Sequence, residues 1–148
     1  MAQPVEREPG AAFLHRREIR GDIELRDVRF AYPGRDDPVL DGISLKIARG
    51  EKVALIGRVG SGKTTIQKLM LGLYQPTSGA VLLDGIDLRQ LDPADVRRNL
   101  GYVSQDVTLF YGSLRENITM GLPYADENAV LAAGEAACVL EFVNRHPK

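Results

Sequence analysis

Cysteine is nearly absent from these 148 residues. Cys138 stands alone, so no disulfide can form within the chain. It falls in an apolar helical pattern, which marks it as a core or helix-face residue. Histidine is scarce too. His15 and His146, with one cysteine, do not make a metal site. Neither sign of charge is in excess: 19 Lys and Arg stand against 20 Asp and Glu, a net charge of −1. The charges are interspersed, which argues against nucleic acid as a partner. No apolar run approaches the roughly 18 residues of a membrane helix, and no signal-peptide pattern occurs. What is left is a soluble, intracellular stretch, or a soluble part of something larger. The length is enough for one domain with a real core, and 44% hydrophobic with 26% charged residues is ordinary for a globular protein.

What is present centres on Lys52 to Leu73, KVALIGRVGSGKTTIQKLMLGL. The apolar run Val53-Ala54-Leu55-Ile56 stops at Gly57, and apolar residues then recur at helical spacing (Ile66, Leu69, Met70, Leu73). Between them Gly57-Arg58-Val59-Gly60-Ser61-Gly62-Lys63-Thr64 fits G-x-x-x-x-G-K-[ST], the phosphate-binding (Walker A) pattern, between a strand and a helix. Glycines let the backbone take positive φ and approach a ligand closely. Successive N–H groups can then form a nest for phosphate oxygens, backed by the positive end of the helix. Lys63 supplies a point charge for the β and γ phosphates. The Thr64 hydroxyl is placed to ligate Mg²⁺, and the Thr65 N–H to reach an inner phosphate.

Residues 1 to about 20, with Pro4, Pro9 and Gly10, read as a linker or flexible arm. Ile23 to Tyr32 alternates with a slip of one residue, a strand with a bulge. Residues 33–38 form a turn, and Ile43, Leu45 and Ile47 alternate again. Ala80 to Leu83 is a short strand and Asp84-Gly85 a hairpin-type turn. Asp92-Pro93 starts a short helix to Asn99, and Leu100 to Ser104 reads as another strand. Ser113-Leu114-Arg115-Glu116 is a capping box. Asp126 opens a longer helix with Ala129, Val130, Ala133, Ala137 and Leu140 as apolar positions.

From about Ile23 onward the chain resembles the ATP-binding domain of ABC transporters, especially exporters. Phe30-Ala31-Tyr32-Pro33 is similar to the family's A-loop, which implies that Tyr32 stacks on adenine, a role a flat ring with a polar tip suits; a tyrosine simply ending an edge strand is the plainer reading. Val39 is placed to flank the base. Gly101-Tyr102-Val103-Ser104-Gln105 looks like the strand into the Q-loop, which implies that Gln105 touches Mg²⁺ or the attacking water, as a neutral amide can. With Lys63 it is the candidate catalytic residue. Residues 106–118 resemble the exporters' segment after the Q-loop. The resemblance makes Gln105 to Ile118 the surface that meets the transmembrane domain, with Phe110 and Tyr111 as exposed aromatics, although local packing would use them equally well. The GRVGSGKTT wording is most similar to type I secretion ATPases, which would put the chain on the cytoplasmic side of a bacterial inner membrane. Many relatives have a small polar residue where Val59 stands, which puts any side-chain contact there in doubt.

The resemblance implies an α/β fold: a P-loop NTPase core of ABC ATPase type, an N-terminal antiparallel β subdomain and the start of a helical subdomain, as an incomplete domain. Residues 21–148 are the N-terminal part of that domain, with the β subdomain and phosphate loop at about 21–105 and the Q-loop and start of the helical subdomain at about 105–148. The implied ligands are ATP and Mg²⁺; the implied partners are a transmembrane domain and a second ATP-binding domain in a head-to-tail dimer. An LSGGQ-like signature and an apolar strand ending in Asp-Glu do not occur in this sequence, and His146 matches no switch-histidine motif. A fragment of this kind is expected to bind nucleotide weakly and hydrolyse it negligibly. Its apolar surface and strand edges are expected to be open. The alternatives are a truncated, non-catalytic nucleotide-binding or interaction module, or a soluble ABC-type ATPase not linked to transport; another P-loop class, such as a small kinase, fits the A-loop and the segment before Ile118 less well.

Overall fold

The computed structural model describes residues 12–122 and 124–145. It falls into two units, one up to Tyr102 and one from Val103 on.

The first unit is built on a four-stranded antiparallel sheet in the order β2-β1-β3-β4, with β1 Ile23–Phe30, β2 Leu40–Ile47, β3 Ser78–Leu83 and β4 Ile86–Asp87. The slip in the alternation of β1 is a bulge. Pairing with β2 runs in register from Ile23↔Ile47 to Leu25↔Leu45 and resumes at Val28↔Ile43. Asp27 in the gap has a φ of 44° and donates its N–H to Ser44 Oγ at 3.0 Å. The extra residue re-aims the strand, so that Leu25, Val28 and Phe30 all point into the core. Helix α1, Lys63–Met70, covers this face with Ile66 and Leu69, which pack with Leu40 and Val81. Burying a leucine such as Leu69 contributes about 2 kcal/mol. A smaller cluster joins Leu83 to Leu91 and to Val96 of α2, Pro93–Asn99. Asp92 caps α2 and Pro93 opens it, as the sequence implies.

Asp84-Gly85 turns β3 into β4 with φ of 51° and 78°, both left-handed, as a two-residue hairpin requires. Its carboxylate gathers the chain ahead of β1, accepting N–H bonds from Arg20 at 2.6 Å and from Gly21 and Asp22 at 3.0 Å. Burial pushes the Asp84 carboxyl up, but these three bonds and the nearby Arg16 more than offset it and hold the group below its ordinary value of 3.8. A depressed carboxylate stabilises the fold above its unfolded pKa and ceases to do so as pH falls through the folded one. Asp84→Asn, which keeps one acceptor oxygen, is therefore expected to cost about 1 kcal/mol at pH 7. In urea melts from pH 7 to pH 3 the gap to wild type will narrow below about pH 4; a gap independent of pH would exclude the charge as the cause.

Upstream, Leu14 bridges to Leu91, donating to Gln90 O at 2.7 Å and accepting from Asp92 N at 3.3 Å. The Arg16 N–H donates to Asp95 Oδ2 at 3.1 Å, and His15 Nδ1 lies 3.3 Å from the same oxygen. Residues 1–11, including Pro4, Pro9 and Gly10, lie outside the described residues.

Two expected strands are not formed. Residues 53–56 and 100–104 pair with no strand among the described residues. Leu55 packs on the core, but Ile56 is 95% and Val103 94% exposed. An apolar run without alternation is the pattern of a strand flanked on both sides; with no partner to satisfy its N–H and C=O groups it is not a strand.

In the second unit α3, Leu114–Ile118, begins with the expected capping box: Ser113 Oγ accepts from Glu116 N, and the Glu116 carboxylate accepts from Ser113 N at 2.7 Å. The Ser113 N–H, and then the Ser113 hydroxyl at 2.9 Å, donate to the Glu116 carboxylate and hold it below its ordinary range. Asn117 Oδ1 accepts from Phe110 N at 2.8 Å while its Nδ2 donates to Phe110 O at 3.0 Å, which fixes the backbone before the helix. Asp126 caps α4, Glu127–Ala136. The longer helix expected there is broken: α5, Val139–Arg145, starts anew after a turn at Ala137 and Cys138. Cys138 is exposed with a φ of 57°, so it is a turn residue rather than a core or helix-face one. The side chain of Leu140, together with Pro123 and His146 to Lys148, lies outside the described residues. No described helix is long and apolar enough to cross a membrane.

Candidate functional site

The loop Gly57–Thr64 leaves the core at Leu55 and runs into α1. Gly60 and Gly62 take φ of 83° and 88°, the left-handed values that let consecutive N–H groups face one way. Gly62 is the N-cap of α1 and no side chain caps the helix; its first turn holds no acidic residue. The N–H groups there are left for a ligand, and the helix dipole favours an anion. Glycine also makes room: a Cβ on Gly57 would stand 2.8 Å from Ser61 Oγ, and one on Gly62 would stand 2.6 Å from Leu40 Cδ2 and 3.3 Å from Val39 O.

Lys63 Nζ folds over the loop, donating to Gly57 O at 2.8 Å, Arg58 O at 2.7 Å and Ser61 Oγ at 3.3 Å. Arg58, Val59 and Ser61 are exposed, Val59 wholly so. The Thr64 hydroxyl is exposed at the helix start, where a hard oxygen can serve Mg²⁺. Thr65 is buried, and its Oγ1 lies 3.1 Å from the Tyr32 hydroxyl. Tyr32, reached from the end of β1, thus stands against α1. Val39, just before β2, lies beside Gly62 of the loop. The first unit therefore brings together Tyr32, Val39, the loop, Lys63, Thr64 and Thr65. Gln105 belongs to the second unit and is exposed, as are Phe110 and Tyr111.

Sequence reasoning passed over Tyr74. Helix α1 ends in a Schellman turn, with Gly72 at a φ of 68° and bonds from Gly72 N to Leu69 O and from Leu73 N to Lys68 O, each 3.0 Å. That turn delivers Tyr74 to Tyr32, their ring centroids 5.3 Å apart and nearly perpendicular. A glycine, Gly72, just before the last periodic residue, Leu73, and an aromatic two positions on were the available signal.

A glycine loop at a bare helix start, beside an antiparallel sheet whose end brings an aromatic to the same helix, is the arrangement of a phosphate-loop type of domain. The chain belongs to the ABC transporter family, whose family model matches residues 40–147. It is 46% identical over 93% of its length to a mycobactin import ATP-binding/permease protein of Mycolicibacterium thermoresistibile, and 40% identical over 99% to an ATP-dependent lipid A-core flippase of Chromohalobacter salexigens. It is also 40% identical over 91% to antigen peptide transporter 2 of Rattus norvegicus. It covers 24%, 25% and 19% of those three proteins. The structure of a bacterial Atm1-family ABC exporter with ATP bound superposes with a TM-score of 0.83 at 35% identity, over 95% of this chain and 24% of that one. The fold is that of part of an ABC ATPase domain, an antiparallel sheet with helices, as the sequence implies.

Proposed function

We propose that this chain binds Mg-ATP as part of an ABC exporter ATPase, whose ATP cycle drives transport through a membrane domain on whose cytoplasmic side it works. The observation that carries the reading is the bare start of α1, fed by Gly60 and Gly62 in left-handed conformation beneath Lys63. The β and γ phosphates sit on the loop N–H groups of residues 57–65, with Lys63 swinging from the loop carbonyls to meet them. Thr64 would ligate Mg²⁺, which would offset phosphate charge. Gln105 would meet Mg²⁺ or the attacking water, as the family resemblance implies. Tyr32 stacks on the adenine and Val39 flanks it. Residues 105–118 meet the transmembrane domain, and a second ATP-binding domain closes on the nucleotide head to tail. The finer reading is type I protein secretion at a bacterial inner membrane, which rests on the GRVGSGKTT wording.

Calorimetric titration of Mg-ATP tests the central claim. Lys63→Ala is expected to weaken binding about 100-fold, the worth of one or two charge-assisted hydrogen bonds. Equal binding by both proteins would remove Lys63 from the phosphate site.

A further inference from the structure

We propose that Tyr74 is a positioning residue for the nucleotide base: it fixes the Tyr32 ring on the helix that carries the phosphate loop. The role rests on the base-stacking reading of Tyr32 above and extends it to a residue the motif does not contain. Three rings lock together. Phe30 and Tyr32 meet edge-on at 4.9 Å and 80°, Tyr32 and Tyr74 at 5.3 Å and 87°, and Phe30 and Tyr74 at 5.5 Å and 61°. Edge-to-face pairs at these distances are the favoured geometry of aromatic quadrupoles. Phe30 is buried in the core and cannot yield. Tyr74 is the more exposed member and contacts both other rings.

The other restraints on Tyr32 also come from α1 or its end. The Tyr32 hydroxyl meets Thr65 Oγ1 at 3.1 Å, and Lys68 Nζ stands over the ring at 5.9 Å. Thr65 and Lys68 are helical residues, and Tyr74 follows the Schellman turn that ends the same helix. The turn after β1 supplies the ring that stacks; Phe30 of β1 backs it, and α1 with its end holds it against the phosphate loop. Phosphate and base subsites are thereby set by one rigid element, which fixes the span between them before a ligand arrives. Preorganisation of this kind raises affinity by removing the ordering cost at the moment of binding.

The edge-on contact needs a ring at position 74 and not its hydroxyl, so Tyr74→Phe and Tyr74→Leu separate positioning from bulk. Two ligands are titrated into this chain by calorimetry. Mg-ATP engages both subsites, and Mg-tripolyphosphate the loop alone. Tyr74→Phe should match wild type for both. Tyr74→Leu should bind Mg-ATP about three- to tenfold more weakly while tripolyphosphate stays unchanged. In the free protein, NMR relaxation of a ¹³C-labelled Tyr32 ring should show a fixed ring in wild type and Tyr74→Phe and a mobile one in Tyr74→Leu. A Tyr32 ring equally fixed in Tyr74→Leu overturns the proposal. So does an ATP affinity that falls in step with that for tripolyphosphate, because the loss is then structural. A wild-type chain that binds neither ligand overturns the nucleotide reading and the base role with it, whatever the ring does.

Discussion

Gly79→Ala will cost about 4 kcal/mol of stability, the upper end of single-substitution effects. Gly79 sits in β3 opposite the bulge of β1, with a φ of 81°. A Cβ there would stand 2.4 Å from both Arg26 O and Asp27 O. Both are backbone atoms of the bulge, and the bulge puts Leu25 and Val28 together in the core, so neither carbonyl can retreat without moving that core. The left-handed backbone adds a further cost for any residue with a Cβ. Gly85→Ala is the control. Its φ of 78° is equally unfavourable but nothing lies within 4 Å of a Cβ, so it should lose only about 1 kcal/mol. Urea melts of the two variants measure the difference. Equal losses would mean that the bulge yields and the clash is relieved.

Gly62→Ala will lose both stability and ligand, about 2 kcal/mol of the first and tenfold or more of Mg-ATP affinity. Leu40 Cδ2 is the end of a side chain and would yield elsewhere, but Leu40 is buried in the main core cluster. Val39 O is backbone. The displacement therefore falls on the loop, which carries the start of α1 away from its place under the ligand. Calorimetry of the folded fraction separates the two losses: unchanged affinity in the molecules that remain folded would show that the cradle tolerates the shift.

Local chemistry was legible in the sequence, and pairing was not. The bulge of β1, the Asp84-Gly85 hairpin, the Asp92, Ser113 and Asp126 caps and the loop ahead of α1 each depend on a few neighbouring residues, and each appears where the pattern placed it. The runs at 53–56 and 100–104 read as strands because their residues suit one, but a strand is a relation between two segments. The break at Cys138 went unread because nothing in Ala136-Ala137-Cys138-Val139 signals a left-handed residue; neither glycine nor asparagine stands there. Of the site, the loop was visible as a motif. The bond from Tyr32 to Thr65 and the place of Tyr74 come from tertiary packing.

The position of Lys63 changes what association with phosphate can yield. An ammonium has three protons to give, and in the free loop three oxygens already receive them. On the proposed reading, a phosphate arriving there would not meet a bare cation; it would displace oxygens that already hold those protons. What the protein would gain is the difference between two saturated states. Counting the bonds of the bound state alone would overstate affinity.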